Sequence, residues 1–322
     1  MHSPSELLAR IEQSITEIQY PTYPVSLYEP ISYIMSLGGK RIRPTMLLMS
    51  VDLFSGDIAE AMSAALAIET FHNFTLLHDD IMDNAPLRRG KQTVHEKWGA
   101  NTAILSGDVM MVESNKHLTN VNVGVLKPAL DTFNATAQGV CEGQQLDMEF
   151  ESRDDVSIEE YIDMIRLKTA VLLGGAMKLG AIVAKASMED ADLIYQFGEN
   201  LGIAFQLQDD ILDVYGDPEK FGKQIGGDII SDKKTFLRLK LQELASPAHL
   251  IDITEEHNNR NTIMKIAAIT SLYNEYNVRE FAIEMMKKYL DTAFEALDKI
   301  NVSQERKHEL TVIANQLMNR EY

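Results

Sequence analysis

Two short runs gather carboxylates at a spacing that suits chemistry: His78-Asp79-Asp80-Ile81-Met82-Asp83 and Gln208-Asp209-Asp210-Ile211-Leu212-Asp213. On a helix turning about 100° per residue, His72, Thr75, Asp79 and Asp83 form one polar stripe. In the second run Gln206, Asp209, Asp210 and Asp213 read as lying on a common side. Carboxylates crowded in this way repel one another, and desolvation raises their pKa values, so the arrangement makes sense around cations. The candidate ligands Asp79, Asp80, Asp83, Asp209, Asp210 and Asp213 are all oxygens, with no cysteine or paired-histidine set beside them, which favours magnesium. Magnesium keeps several waters and also ligates phosphate oxygens, so the implied substrate carries a diphosphate. One such cluster alone reads equally well as a solvated helix face. Two of them, each set against apolar runs instead of mixed lysine and glutamate, argue for a site.

Basic residues that match a diphosphate stand nearby. The run Gly38-Gly39-Lys40-Arg41-Ile42-Arg43-Pro44 puts three cations in a glycine-led segment expected to start a helix, where free backbone N–H groups also favour an anion. After the first cluster, Arg88-Arg89-Gly90 supplies two guanidiniums, the group best shaped for bidentate contact with phosphate. Lys168-Thr169 interrupts an apolar helical run, and Lys223 and Lys233 bracket Gly226-Gly227-Asp228 after the second cluster. Taken singly, each of these motifs is an ordinary charged turn or a snorkelling lysine.

The elements that must position these residues are helices. Apolar residues recur three and four apart through 61–77, 158–182, 191–211 and 263–297, and β-branched alternation is missing. Turn chemistry at 20–24, 54–57, 216–218 and 246–247 breaks the helical pattern, and 255–262 reads as an exposed loop. With 322 residues, 45% of them hydrophobic, and no linker or repeat, the expectation is a single domain over 1–322. Forty-eight acidic against 30 basic side chains give a net charge of −18, which repels nucleic acid. No run is long and apolar enough to span a bilayer, and residues 1–13 hold no apolar core of signal-peptide length. A single cysteine, Cys141, excludes an internal disulfide and suits a reducing cytoplasm.

In order along the chain, GGKRIRP, FHNFTLLHDDIMD, RRG, GQQLD, the Lys168-Thr169 pair, FQLQDDILD and GKQIGGD resemble the trans-polyprenyl diphosphate synthases, the farnesyl and geranylgeranyl diphosphate synthase family. The resemblance implies an all-α isoprenoid synthase fold, a single large helical bundle around a central cavity, and commonly a homodimer. It implies condensation of isopentenyl diphosphate with an allylic diphosphate. Asp79, Asp83 and Asp209 resemble the ligands of three magnesium ions, with Asp80, Asp210 and Asp213 completing the motifs. By the same resemblance Arg88, Lys168, Lys223 and Lys233 contact the allylic diphosphate, and Lys40, Arg43, His72 and Arg89 hold isopentenyl diphosphate. Thr169 and Gln206, with the carbonyl of Lys168, resemble the dipoles that face the carbocation, supported by Asp147 and Gln144. Phe74 and Thr75, five and four residues before Asp79, resemble the tunnel floor of the twenty-carbon type, with a fifteen-carbon product as the alternative. A terpene cyclase fits less well, since its second motif mixes asparagine, serine and glutamate. A ferritin-like reading of Glu69-x-x-His72 and Glu305-x-x-His308 leaves the arginine pair unexplained. A regulatory subunit would be expected to lack one of the two aspartate motifs.

Overall fold

The computed structural model describes residues 2–216, 225–246 and 261–318. Apart from one two-stranded hairpin, these residues are helices and the short turns between them. Contacts gather them into two compact units. The first comprises Met1–Ala137, Gly175–Tyr195 and Ile300–Glu309, and the second Gln138–Gly174, Gln196–Lys299 and Leu310–Tyr322.

In the first unit, α1 (Pro4–Glu17) begins with a reciprocal cap in which Ser3 and Glu6 satisfy each other's backbone N–H groups. It is followed by α2 (Val25–Ser36) and α3 (Ile42–Leu53), the latter buried along nearly its whole length. Asp57 accepts from the Ala59 N–H and starts α4 (Ile58–Met82), a 25-residue helix. Ala61, Ala64, Ala65 and Ala67 on α4 are fully buried, and side chains this small let neighbouring helices approach. The hairpin β1 (Leu87–Arg88) and β2 (Lys91–Gln92) follows, then α5 (Val94–Trp98), α6 (Ala100–Leu118) and α7 (Val123–Ser152). Helix α4 packs against α3 and α6.

The second unit is built from α8 (Ile158–Ile165), a π-helical turn over Arg166–Ala170, α9 (Val171–Val183) and α10 (Met188–Tyr215), with α7, α9 and α10 supplying only the parts that fall in its range. Helices α11 (Gly227–Ile230), α12 (Phe236–Leu244), α13 (Thr262–Glu275), α14 (Val278–Lys299) and α15 (Gln304–Met318) complete the chain. Tyr161, Met164, Leu207, Phe236, Leu237 and Tyr273 lie in one buried cluster of this unit. The helical periodicity over 263–297 covers two helices, not one. The chain breaks at Tyr276-Asn277, where Asn277 takes φ 50°, a left-handed conformation that asparagine tolerates and that apolar periodicity does not register. Of the exposed loop expected at 255–262, residues 255–260 lie outside the described residues.

Candidate functional site

In the first unit, α4 carries the first carboxylate run to its very end, with Asp83 as the C-terminal cap. His72, Thr75 and Asp79 are partly exposed and Asp83 is exposed, as the stripe requires. Asp80 turns away. It is 2% exposed, and its Oδ1 accepts from Nε and Nη2 of Arg88 at 2.9 and 2.5 Å. The hairpin explains how Arg88 gets there. Arg89 and Gly90 form its two-residue turn with φ 53° and 73°, the conformation that matches strand twist, so Arg88 is aimed from β1 while Arg89 sits at the tip. Arg89 donates from Nη1 to the Gly38 carbonyl, and its guanidinium occupies the space a side chain at Gly39 would fill.

The basic segment at 38–44 starts α3 as expected. Nη1 of Arg43 donates to Nε2 of His72 at 3.1 Å. Burial, and then Arg43, Arg89, Arg88 and Arg41, hold the His72 imidazole well below its usual range, so it is neutral and accepts that bond. Lys40, in the same segment of the chain, is exposed. The structure thus brings Arg43, His72 and Arg89 together in one unit, in an arrangement that suits a diphosphate. On the next turn of α4, the Phe74 ring packs 5.6 Å from Phe71 and 4.7 Å from His78. His78 lies over Gly107 of α6, so closely that a methyl group at Gly107 would overlap it. The Thr75 hydroxyl donates to the His72 carbonyl at 2.8 Å.

The second unit repeats the pattern around α10. Gln206, Asp209 and Asp213 are partly exposed, whereas Asp210 is 4% exposed, so the common side expected for all four residues holds for three. Asp210 accepts instead from the Tyr161 hydroxyl and the Phe236 N–H. Burial pushes its carboxyl up to about 7 against the opposing pull of Tyr161 and Lys233, and burial together with Asp210 holds the Tyr161 phenol well above its usual range. The Asp228 N–H donates to Asp213 at 3.0 Å, tying the second cluster to the start of α11.

Lys168 and Thr169 lie in the π-helical turn. A methyl group on Gly143 of α7 would stand 2.1 Å from the Lys168 nitrogen, and one on Gly202 of α10 would stand 2.7 Å from the Ala170 Cα. Two glycines therefore let neighbouring backbones crowd this turn, a place where a bulge re-aims side chains. Lys168 Nζ donates to Asp147 at 2.5 Å, and Thr169 Oγ1 lies 3.5 Å from Gln206 Oε1. Burial alone would raise the Asp147 carboxyl, but Lys233 and Lys168 bring it below its usual range. Lys223 lies outside the described residues. The sequence reading missed Tyr161, which lies 49 residues from its partner and carries no spacing signal, and the role of Glu69, whose spacing to His72 was visible but pointed to iron.

Among the described residues no three carboxylate, histidine or cysteine side chains meet in a ready-made metal cage. Asp79, Asp83, Asp209 and Asp213, partly or fully exposed, are fitting oxygen donors for a divalent cation, and the buried Asp80 and Asp210 accept from Arg88 and Tyr161.

The polyprenyl synthetase family model matches residues 24–272. A geranylgeranyl diphosphate synthase of Saccharolobus solfataricus is 40% identical over 86% of this chain and 85% of its own. A geranylfarnesyl diphosphate synthase of Natronomonas pharaonis is 32% identical over 97% and 95%. A crystal structure of a geranylgeranyl pyrophosphate synthase superposes with a TM-score of 0.93 at 40% identity, covering all of both chains. The all-α isoprenoid synthase fold expected from the motifs is therefore present. The matched model, the sequence identities and the superposition agree, and the chain belongs to the polyprenyl synthetase family of prenyltransferases.

Proposed function

We propose that the protein is a short-chain trans-isoprenyl diphosphate synthase, a magnesium-dependent enzyme that joins isopentenyl diphosphate head-to-tail to an allylic diphosphate and releases geranylgeranyl diphosphate. The observation that carries this reading is the company kept by α4, where a carboxylate stripe shares one helix with His72 and is flanked by Arg43 and the arginine hairpin. We treat residues 1–322 as one functional domain, since the family match runs through both units.

In this reading Lys40, Arg43 and Arg89 neutralise the diphosphate of isopentenyl diphosphate, and neutral His72 holds Arg43 in place. Arg88, Lys168 and Lys233 take the allylic diphosphate, with Lys223 expected to join them. Asp79, Asp83, Asp209 and Asp213 would hold magnesium, up to three ions, with Asp80 and Asp210 bracing the two motifs. When bound, the metal supplies the positive charge that makes diphosphate a good leaving group. The allylic carbon–oxygen bond breaks with its electron pair going to diphosphate, and the Thr169 and Gln206 oxygen dipoles face the resulting cation. The double bond of isopentenyl diphosphate forms the new carbon–carbon bond, and the departing diphosphate takes the lost proton.

Phe74, fixed between Phe71 and His78, and Thr75 are the proposed floor of the product tunnel. The relatives named for geranylgeranyl diphosphate support twenty carbons. Incubating the purified protein with magnesium, isopentenyl diphosphate and each allylic primer, then separating products by length, tests the reading. A twenty-carbon product lost on chelation is expected, and Phe74→Ala should lengthen it. Fifteen or twenty-five carbons from the wild type would keep the reaction and remove Phe74 as the floor. No condensation with any primer would favour a regulatory subunit. We also propose a homodimer, supported by exposed Leu105, Val112 and Val123 on α6 and α7, and a cytoplasmic setting, in keeping with the single cysteine.

A further inference from the structure

Helix α4 carries a carboxylate that this reaction does not use. Glu69 is 1% exposed and lies one turn before His72. Its Oε1 accepts from Arg41 Nη1 at 2.6 Å and from Asn73 Nδ2 at 2.8 Å. Arg41 is buried as well. It donates from Nε to Glu12 of α1 at 2.9 Å and from Nη2 to the Met35 carbonyl of α2 at 2.8 Å. One guanidinium therefore ties three helices to the start of α3. These bonds hold Arg41 at φ 43°, a left-handed conformation that a residue with a side chain adopts only when its surroundings require it. Lys40 and Arg43 leave the chain on either side of this anchored residue, so its position decides theirs.

The charges point the same way. Arg41, Arg43, Arg88 and Arg89 all lie close enough to act on His72. Glu69 opposes the effect of burial on both Arg43 and Arg89. Several partly buried cations with no anion among them would spread apart or draw in water.

We propose that Glu69 is a positioning residue for the isopentenyl diphosphate site: through Arg41 it fixes the 38–44 segment, and it balances the guanidiniums until the substrate's diphosphate arrives. The inference rests on reading Lys40, Arg43, His72 and Arg89 as that site. It also has a distinctive sign. By simple Coulomb attraction, removing a carboxylate beside an anion site tightens binding, whereas losing the anchor of the site weakens it.

The test is steady-state kinetics on full-length Glu69→Gln, together with calorimetric titration of inorganic diphosphate in the presence of a chelator. The KM for isopentenyl diphosphate should rise about tenfold while the KM for the allylic diphosphate stays within about twofold, and metal-free diphosphate should bind about tenfold more weakly. The double variant Arg41→Met/Glu69→Met removes both charges and keeps the volume filled. Its thermal midpoint should lie within about 5 °C of wild type while the raised KM persists. An unchanged or lowered KM for isopentenyl diphosphate, a parallel rise in both KM values, or a wild-type KM in the double variant would each overturn the proposal. Wild-type protein that condenses nothing would overturn the functional reading instead. The titration would then decide alone, with unweakened binding in Glu69→Gln counting against the positioning role.

Discussion

Each D-D-x-x-D run divides its labour by helical angle. The first and last aspartates lie four residues apart, about 40° from eclipsed, and share a face, while the middle one points about 100° from the first and about 60° from the last. That rotation places Asp80 under Arg88 and Asp210 under Tyr161, leaving Asp79, Asp83, Asp209 and Asp213 on the accessible side. The outer and middle aspartates should therefore respond differently to substitution. Asp79→Ala should lower kcat by at least about a hundredfold with little change in thermal midpoint, because it removes an electrostatic contribution made only with substrate present. Tyr161→Phe takes a hydroxyl donor from a buried carboxylate and should cost about 1–3 kcal/mol of stability, read as a lower midpoint in thermal unfolding. An unchanged midpoint would show that Asp210 is adequately held by the Phe236 N–H.

At the scale of elements, regular helices carry the aspartates and irregular ones aim the cations. Arg88 and Arg89 depend on a two-residue hairpin, Lys40 and Arg43 on a left-handed residue at the head of α3, and Lys168 on a π-helical turn. The π-helical turn requires Gly143, where an added methyl group would strike the Lys168 nitrogen. Gly143→Ala should displace the turn, cost about 1–3 kcal/mol through overpacking and lower turnover, while circular dichroism still reports a helical protein. Full turnover in that variant would mean the turn can shift without consequence. Gly90 sits at φ 73°, so Gly90→Val should cost about 1 kcal/mol or more and, by displacing Arg89, raise the KM for isopentenyl diphosphate more than that for the allylic diphosphate, which kinetics with each substrate varied in turn will check.

For the whole molecule, a net charge of −18 leaves the basic cluster around His72 as a local exception, which suits a small anionic substrate better than a polyanion. If the exposed apolar residues of α6 meet a second copy, Val112→Glu should move the sedimenting species from two chains to one at micromolar concentration, with helicity unchanged. A wild type that sediments as one chain would remove that face from consideration. The sequence by itself determined the helical class, because periodicity near 3.6 is a local property, and it determined the candidate carboxylates and most of the cations, because their types and spacing are local too. Only the tertiary structure decided that Asp80 belongs to Arg88, that Asp210 belongs to Tyr161, and that Glu69 answers to Arg41 and not to a metal. Those pairings join residues 8, 49 and 28 positions apart. A buried charge takes its partner from whatever the fold packs against it, and neither the spacing nor the type of either residue records that choice.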